Sequence, residues 1–243
     1  MSELAPPLPP RTPFWSYQDL LVFAGAIFAS LLVAGLLVQA IWLVFALGGR
    51  GGAPQLLAAQ FLGYGFGFTF LWGWLRLKYG RPFWESLGWV RFREKFWTHI
   101  GWGVIVSLAI GVAGAALRTP DLDMPMKRLL SDRLSILLIG LAAATAGPVC
   151  EELAFRGFLQ PLLVRSVGAA PGVVLAALPF ALLHGPEYAW SWRHVLLITA
   201  AGVSFGWIKQ RTGSTAAAAV MHAAYNATLF VAFLLYGKDL PAK

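Results

Sequence analysis

Between residues 20 and 47 the chain carries no Asp, Glu, Lys or Arg. About 20 consecutive apolar residues suffice to carry a helix across the hydrocarbon of a bilayer. A soluble domain has no place for a longer uncharged run. Comparable runs follow at 54–75, 98–117, 133–163, 171–184, 194–208 and 215–236. The expected fold is therefore all-α, a polytopic transmembrane helix bundle of seven spans, or eight if 133–163 breaks near Gly147-Pro148. Composition agrees, since 58% of residues are hydrophobic, 12% are charged and the mean hydropathy is +0.66. A typical soluble domain carries about a quarter charged residues.

The formal net charge of +8 does not point to nucleic acid, because the basic residues form no continuous polar face. Arg76, Lys78, Arg81, Arg91, Arg93 and Lys95 crowd one connector, 76–97. Such an excess of Lys and Arg holds cytoplasmic loops in place and attracts anionic lipid heads. It predicts a cytoplasmic N-terminus, and a bacterial inner (cell) membrane is the expected location. Trp84, Trp89, Phe92, Phe96 and Trp97 of the same connector read as interfacial anchors. The organisation expected is a disordered proline-rich tail (1–17), N-terminal transmembrane helices with the basic connector (18–131), a second bundle (132–236) and a short C-terminal tail (237–243). Cys150 is the only cysteine, which excludes an intramolecular disulfide and a cysteine-rich metal site.

The second bundle differs from the first in what its apolar runs contain. One holds Glu151, Glu152 and Arg156, another ends in His184, and the last holds His222 and Asn226. A charged side chain at the bilayer centre costs about 2.5–3.5 kcal/mol on insertion scales, so these residues need partners or a purpose. Glu152 and Arg156 stand four apart, on one helix face, and can pair. Glu151 lies about 100° round the helix and is the carboxylate left over, suited to proton transfer. A structural ion-pair cluster explains these three residues alone about as well as catalysis does. Histidines and an amide in two further segments tip the balance toward a buried hydrolytic site with a carboxylate base, imidazoles and an oxyanion donor.

These residues resemble, in order, the signature of the CAAX-protease and bacteriocin-processing (CPBP, or Abi) family of intramembrane proteases. Glu151-Glu152-Leu-Ala-Phe-Arg156 matches its EExxxR motif, Phe180-Ala-Leu-Leu-His184 its FxxxH motif, and His222-Ala-Ala-Tyr-Asn226 its HxxxN motif. The Thr212-Gly213-Ser214 turn ahead of the last motif fits too. The resemblance covers residues 132–230 and implies peptide-bond hydrolysis within the membrane. It implies peptide or membrane-protein substrates, prenylated in the eukaryotic-type enzymes. Carried over, Glu151 and His184 polarise the attacking water, His222 and Asn226 stabilise the oxyanion, and Glu152, Arg156 and Phe180 support the site. The family's metalloprotease label implies zinc on Glu151, His184 and His222, a legitimate catalytic set. The chain lacks HExxH, so metal-dependent and metal-free water activation are expected with equal weight.

Rival readings are a non-proteolytic scaffold or bacteriocin-immunity protein, a proton-coupled transporter, and a rhomboid-like Ser204/His222 protease. Ser204 sits in Gly202-Val203-Ser204-Phe205-Gly206, formally a GxSxG elbow, but that elbow requires a strand-to-helix turn and this run is helical. GxxxG packing accounts for its glycines. The thiol of Cys150 is expected to be inert in apolar surroundings. His99 and His194 each begin an apolar run, as membrane-interface residues do.

Overall fold

The computed structural model describes residues 12–45, 52–120, 129–130 and 132–236. The expected tails, except for residues 12–17, and most of the polar loop at 118–132 lie outside the described residues. Every described apolar run is helical, and no strand occurs among the described residues. We number the helices α1 (Tyr17–Val44), α2 (Ala53–Tyr79), α3 (Phe96–Ala116), α4 (Arg133–Ala144), α5 (Ala146–Glu152, prolonged through Leu153–Leu159 and Gln160–Val167), α6 (Ala169–Leu183), α7 (Trp192–Thr212) and α8 (Thr215–Tyr236).

Five helical stretches are long and apolar enough to cross a membrane: α1, α2, α3, the composite 133–167 and α8. By length and composition these helices make the chain an integral membrane protein. The other two runs form different elements. At 15 residues, α6 is about 22 Å long against roughly 30 Å of hydrocarbon. The longer α7 carries Arg193 and His194 in its first turn and Lys209 and Arg211 in its last. The 133–163 run does break, at Thr145 (φ −134°, ψ −91°), two residues ahead of Gly147-Pro148. Pro148 lacks an N–H and cannot continue the α4 ladder.

α1 starts on a capping box, in which Ser16 and Asp19 satisfy each other's backbone N–H groups. Asp19 is buried and accepts from Lys78 Nζ (2.6 Å), Tyr79 Oη (2.6 Å) and Trp74 Nε1 (2.9 Å), which ties the start of α1 to the end of α2. The basic connector does not lie flat on the surface. It turns through Phe83–Ser86, Leu87 is wholly buried, and the Leu87 carbonyl accepts from Thr215 Oγ1 at 2.6 Å. Trp84 and Trp97 stay exposed, whereas Trp89 packs against the core that contains Phe158.

Further contacts also join the N-terminal helices to the second bundle. Trp15 stacks on Phe158 (centroids 5.1 Å) and its indole N–H donates to the Phe158 carbonyl. Gly103 of α3 lies so close to α8 that a Cβ there would run into the Met221 carbonyl.

Candidate active site

α5 owes its special position to a π-helical stretch, Leu153–Leu159, set into its middle. The Gln160 N–H reaches back five residues to the Phe155 carbonyl. Such wide turns recur at functional sites because they rotate the flanking side chains out of α-helical phase. Arg156 lies inside the stretch and Glu151 and Glu152 immediately before it. Gln160, just after it, donates to the Gly206 carbonyl at 3.0 Å and so anchors α5 to α7.

Glu152 and Arg156 are both fully buried, and Arg156 Nη1 stands 3.0 Å from Glu152 Oε1. Arg156 Nη2 donates to the Gly202 carbonyl at 2.8 Å, and its guanidinium lies over Phe180 (4.4 Å) and Phe205 (5.6 Å). Gly202 gives this approach its room, since a Cβ would press to within 3.1–3.2 Å of Phe180, Ala177 and Arg156 side-chain atoms, which would have to give by a few tenths of an ångström. This is a buried ion pair with aromatic walls, in which loss of one partner would leave an uncompensated charge.

The same Glu152 oxygen accepts from His222 Nδ1 at 2.9 Å. A carboxylate accepts only, so a proton sits on Nδ1, and in a neutral imidazole Nε2 would carry the free lone pair. That Nε2 lies 3.8 Å from Glu151 Oε2. Phe205 stacks on the imidazole (centroids 4.3 Å, planes 17° apart) and Phe180 meets it edge-on at 5.7 Å. His184 caps α6 and its Nδ1 donates to the Phe180 carbonyl at 2.8 Å. Its Nε2 is left free by the same logic, as hydrogen bonds from Nδ1 orient histidines elsewhere.

Glu151, His184, His222 and Asn226 all line one cavity of about 490 Å³. The Glu151 side chain retains 21% of its exposure, against 0% for Glu152. A water within hydrogen-bond distance of both Glu151 Oε2 and His222 Nε2, about 2.8 Å from each, fits a triangle with a 3.8 Å base. Asn226 is partly committed. The break at Thr145 strips carbonyls of the last α4 turn of their intrahelical partners, and Asn226 Nδ2 donates to the Ala143 carbonyl at 2.8 Å. Its second N–H remains for another acceptor.

Three features of the site had no sequence signal. Phe205 is one apolar residue in an apolar helix. Gln60 and Phe61 bring α2 to the cavity wall. Glu187, in the turn Gly185–Tyr188, lines the cavity as a second carboxyl group. Burial raises the pKa of Glu187 above the ordinary glutamate value; His184 lowers it and Glu151 raises it further.

The competing nucleophiles stand apart. Ser204 Oγ donates to the Ala200 carbonyl one turn back, and neither Ser204 nor Cys150 lines the cavity. His99 is buried at the start of α3 against Phe92, and His194 stacks on Tyr188 at the start of α7. Glu151, His184 and His222 have the donor chemistry of a zinc set. Among the described residues, though, no three His, Cys, Asp or Glu side chains are gathered closely enough to hold an ion.

Residues 133–228 match the family model described as type II CAAX prenyl endopeptidase Rce1-like. The matched stretch runs from the first residue of α4 into α8 and contains Glu151, Glu152, Arg156, Phe180, His184, His222 and Asn226. No curated protein and no solved structure matches the chain.

Proposed function

Residues 133–228 belong to the Rce1-like family of type II CAAX prenyl endopeptidases, and from that membership we propose that the chain is an intramembrane endopeptidase acting through Glu151, His184, His222 and Asn226. One observation carries the assignment of residues. A partly exposed carboxylate stands 3.8 Å from an imidazole whose other nitrogen is anchored on a buried Glu152–Arg156 pair, and both face one cavity.

In this reading Glu151 takes a proton from the attacking water, with His184 facing the same cavity. The hydroxide adds to the scissile carbonyl, and Asn226 offers its uncommitted N–H to the oxyanion of the tetrahedral intermediate, joined by His222 in its imidazolium form, in which Nε2 also carries a proton. Glu151 then returns the proton to the leaving amine. Glu152, Arg156 and Phe180 hold His222 in place rather than touching substrate. Leu229, Phe233 and Phe61 line the same cavity, which suits a lipidated or membrane-embedded polypeptide, including a prenylated one. The basic connector supports a cytoplasmic N-terminus in a bacterial cell membrane.

The test compares membranes carrying the wild type and Glu151→Gln by proteomics of C-termini and internal cuts. Cleavage products present only with the wild type are expected, and identical sets of termini would remove the reading. Zinc on the same Glu151, His184 and His222 would need these side chains to draw closer together than they stand, and no step is routed through it. Chelation that stops hydrolysis, with restoration by zinc, supports it. A rate unchanged by chelators assigns water activation to the protein groups alone.

A further inference from the structure

A second cavity, of about 510 Å³, shares no lining residue with the first. It lies at the end of the molecule that carries the basic connector, between residues 12–15, the turn after α2, the last part of α5 and the last turn of α7. Arg81, Arg165 and Lys209 line it, and Glu85 is the one acidic residue among its walls. Lys209 is half-buried and has no hydrogen-bond or ion-pair partner among the described residues. Arg165 donates to the Pro13 carbonyl at 2.5 Å, which holds its guanidinium at the rim with donors to spare. Arg81 is placed over the Phe14 ring at 5.8 Å. Phe14, Trp15, Leu87 and Val164 supply apolar wall.

From this juxtaposition we propose that the cavity binds the phosphate group of an anionic phospholipid. Three cations against one carboxylate select an anion, and a half-buried ammonium without a counter-charge is costly unless an anion completes it. Phosphate suits the donors because guanidinium and ammonium groups are its usual partners. The apolar wall and the membrane setting favour a headgroup with acyl chains over a free ion. Each Lys or Arg near an anionic surface contributes a factor of about five in affinity.

Native mass spectrometry of the full chain in detergent, titrated with phosphatidylglycerol or phosphatidylcholine, tests this. Retention of phosphatidylglycerol about fivefold or more above phosphatidylcholine is expected. Lys209→Gln should weaken it about fivefold, whereas Arg93→Gln, in the connector but outside the cavity, should leave it within about twofold. Arg165→Gln, an exposed position that does not threaten folding, should repeat the loss. Equal binding of the two lipids, or equal losses in Lys209→Gln and Arg93→Gln, would overturn the proposal. A thermal-shift arm separates the sources of phosphate. Protection by phosphatidylglycerol but not by millimolar inorganic phosphate assigns a lipid headgroup. Protection by both assigns the phosphate group itself, and protection by neither overturns the site.

Discussion

Two buried carboxylates organise this molecule, one in each half, and they are satisfied differently. Asp19 in α1 receives hydrogen bonds from Ser16, Trp74, Lys78 and Tyr79. Its Lys78 partner is 43% exposed, so the ion pair sits at the edge of the bundle in contact with water. Glu152 in α5 is wholly enclosed, shares one oxygen between Arg156 and His222, and leaves Oε2 without a hydrogen-bond partner. A saturated carboxylate at a helix end fastens two helices. An under-satisfied one beside a cavity orients an imidazole toward the next carboxylate, Glu151, and leaves charge available to bias the site.

The largest effect that sharpens this contrast concerns chemistry. Glu151→Gln should lower turnover by about 10²–10⁴, the range for loss of a general base, with thermal stability retained because Glu151 has no hydrogen-bond partner among the described residues. Asn replacing Asp19 should leave turnover per folded molecule unchanged. Turnover on a cleavable lipidated peptide, beside a melting curve for each variant, decides. Full activity in Glu151→Gln would break the comparison at its centre.

Stability should reverse the order. Arg156→Ala leaves Glu152 buried without its cation and should cost roughly 3–5 kcal/mol. Asp19→Asn, at a site where Lys78 can turn to water, should cost about 1–3 kcal/mol as hydrogen bonds to the carboxylate weaken. Equal losses in the two variants would show that enclosure does not distinguish the hubs. A comparable loss is expected at Gly103→Ala, about 1–3 kcal/mol from overpacking against the α8 backbone, while Gly101→Ala, with open space around it, should change stability by under about 0.5 kcal/mol.

Charge cost made half of the site legible in the sequence. Glu151, Glu152, Arg156, His184, His222 and Asn226 stand out because ionisable and strongly polar groups in apolar runs are expensive, and the i,i+4 spacing predicts the Glu152–Arg156 pair. The bundle was legible for the same reason, as the apolar runs map onto helices. What could not be read is what crosses between helices. Nothing in the spacing indicated that His222 would be held by Glu152, or that Phe205 would stack on it. The Asn226 bond depends on a carbonyl freed by a break at Thr145, two residues ahead of the expected Gly147-Pro148. That α6 would be only 15 residues long and α7 charged at both ends follows from where turns fall, which apolar runs mark poorly. Glu187 was invisible because a carboxylate in a polar turn carries no cost until tertiary packing buries it.

Glu187 gives the smallest and most specific test of how the two halves differ, since its proton is held by its surroundings rather than by a partner. Burial raises its native pKa above the ordinary 4.5, so the folded protein binds this proton more tightly than the unfolded chain does. Linkage then fixes the sign. Relative to a neutral side chain, Glu187 costs the fold nothing below the unfolded value, and its cost grows as pH rises from 4.5 through the raised native value, then stays constant. Glu187→Gln should therefore flatten the fall in melting temperature across that window and leave the acid end unchanged. Asp19, saturated by donors, gives no such penalty on ionising, and Asp19→Asn should lower stability most at neutral pH, not relieve it. Melting curves of the three proteins from pH 4 to pH 8 separate these outcomes. If Glu187→Gln melts in parallel with the wild type throughout, the turn after His184 is wetter than its burial implies, and Glu187 stands outside the electrostatics of the site.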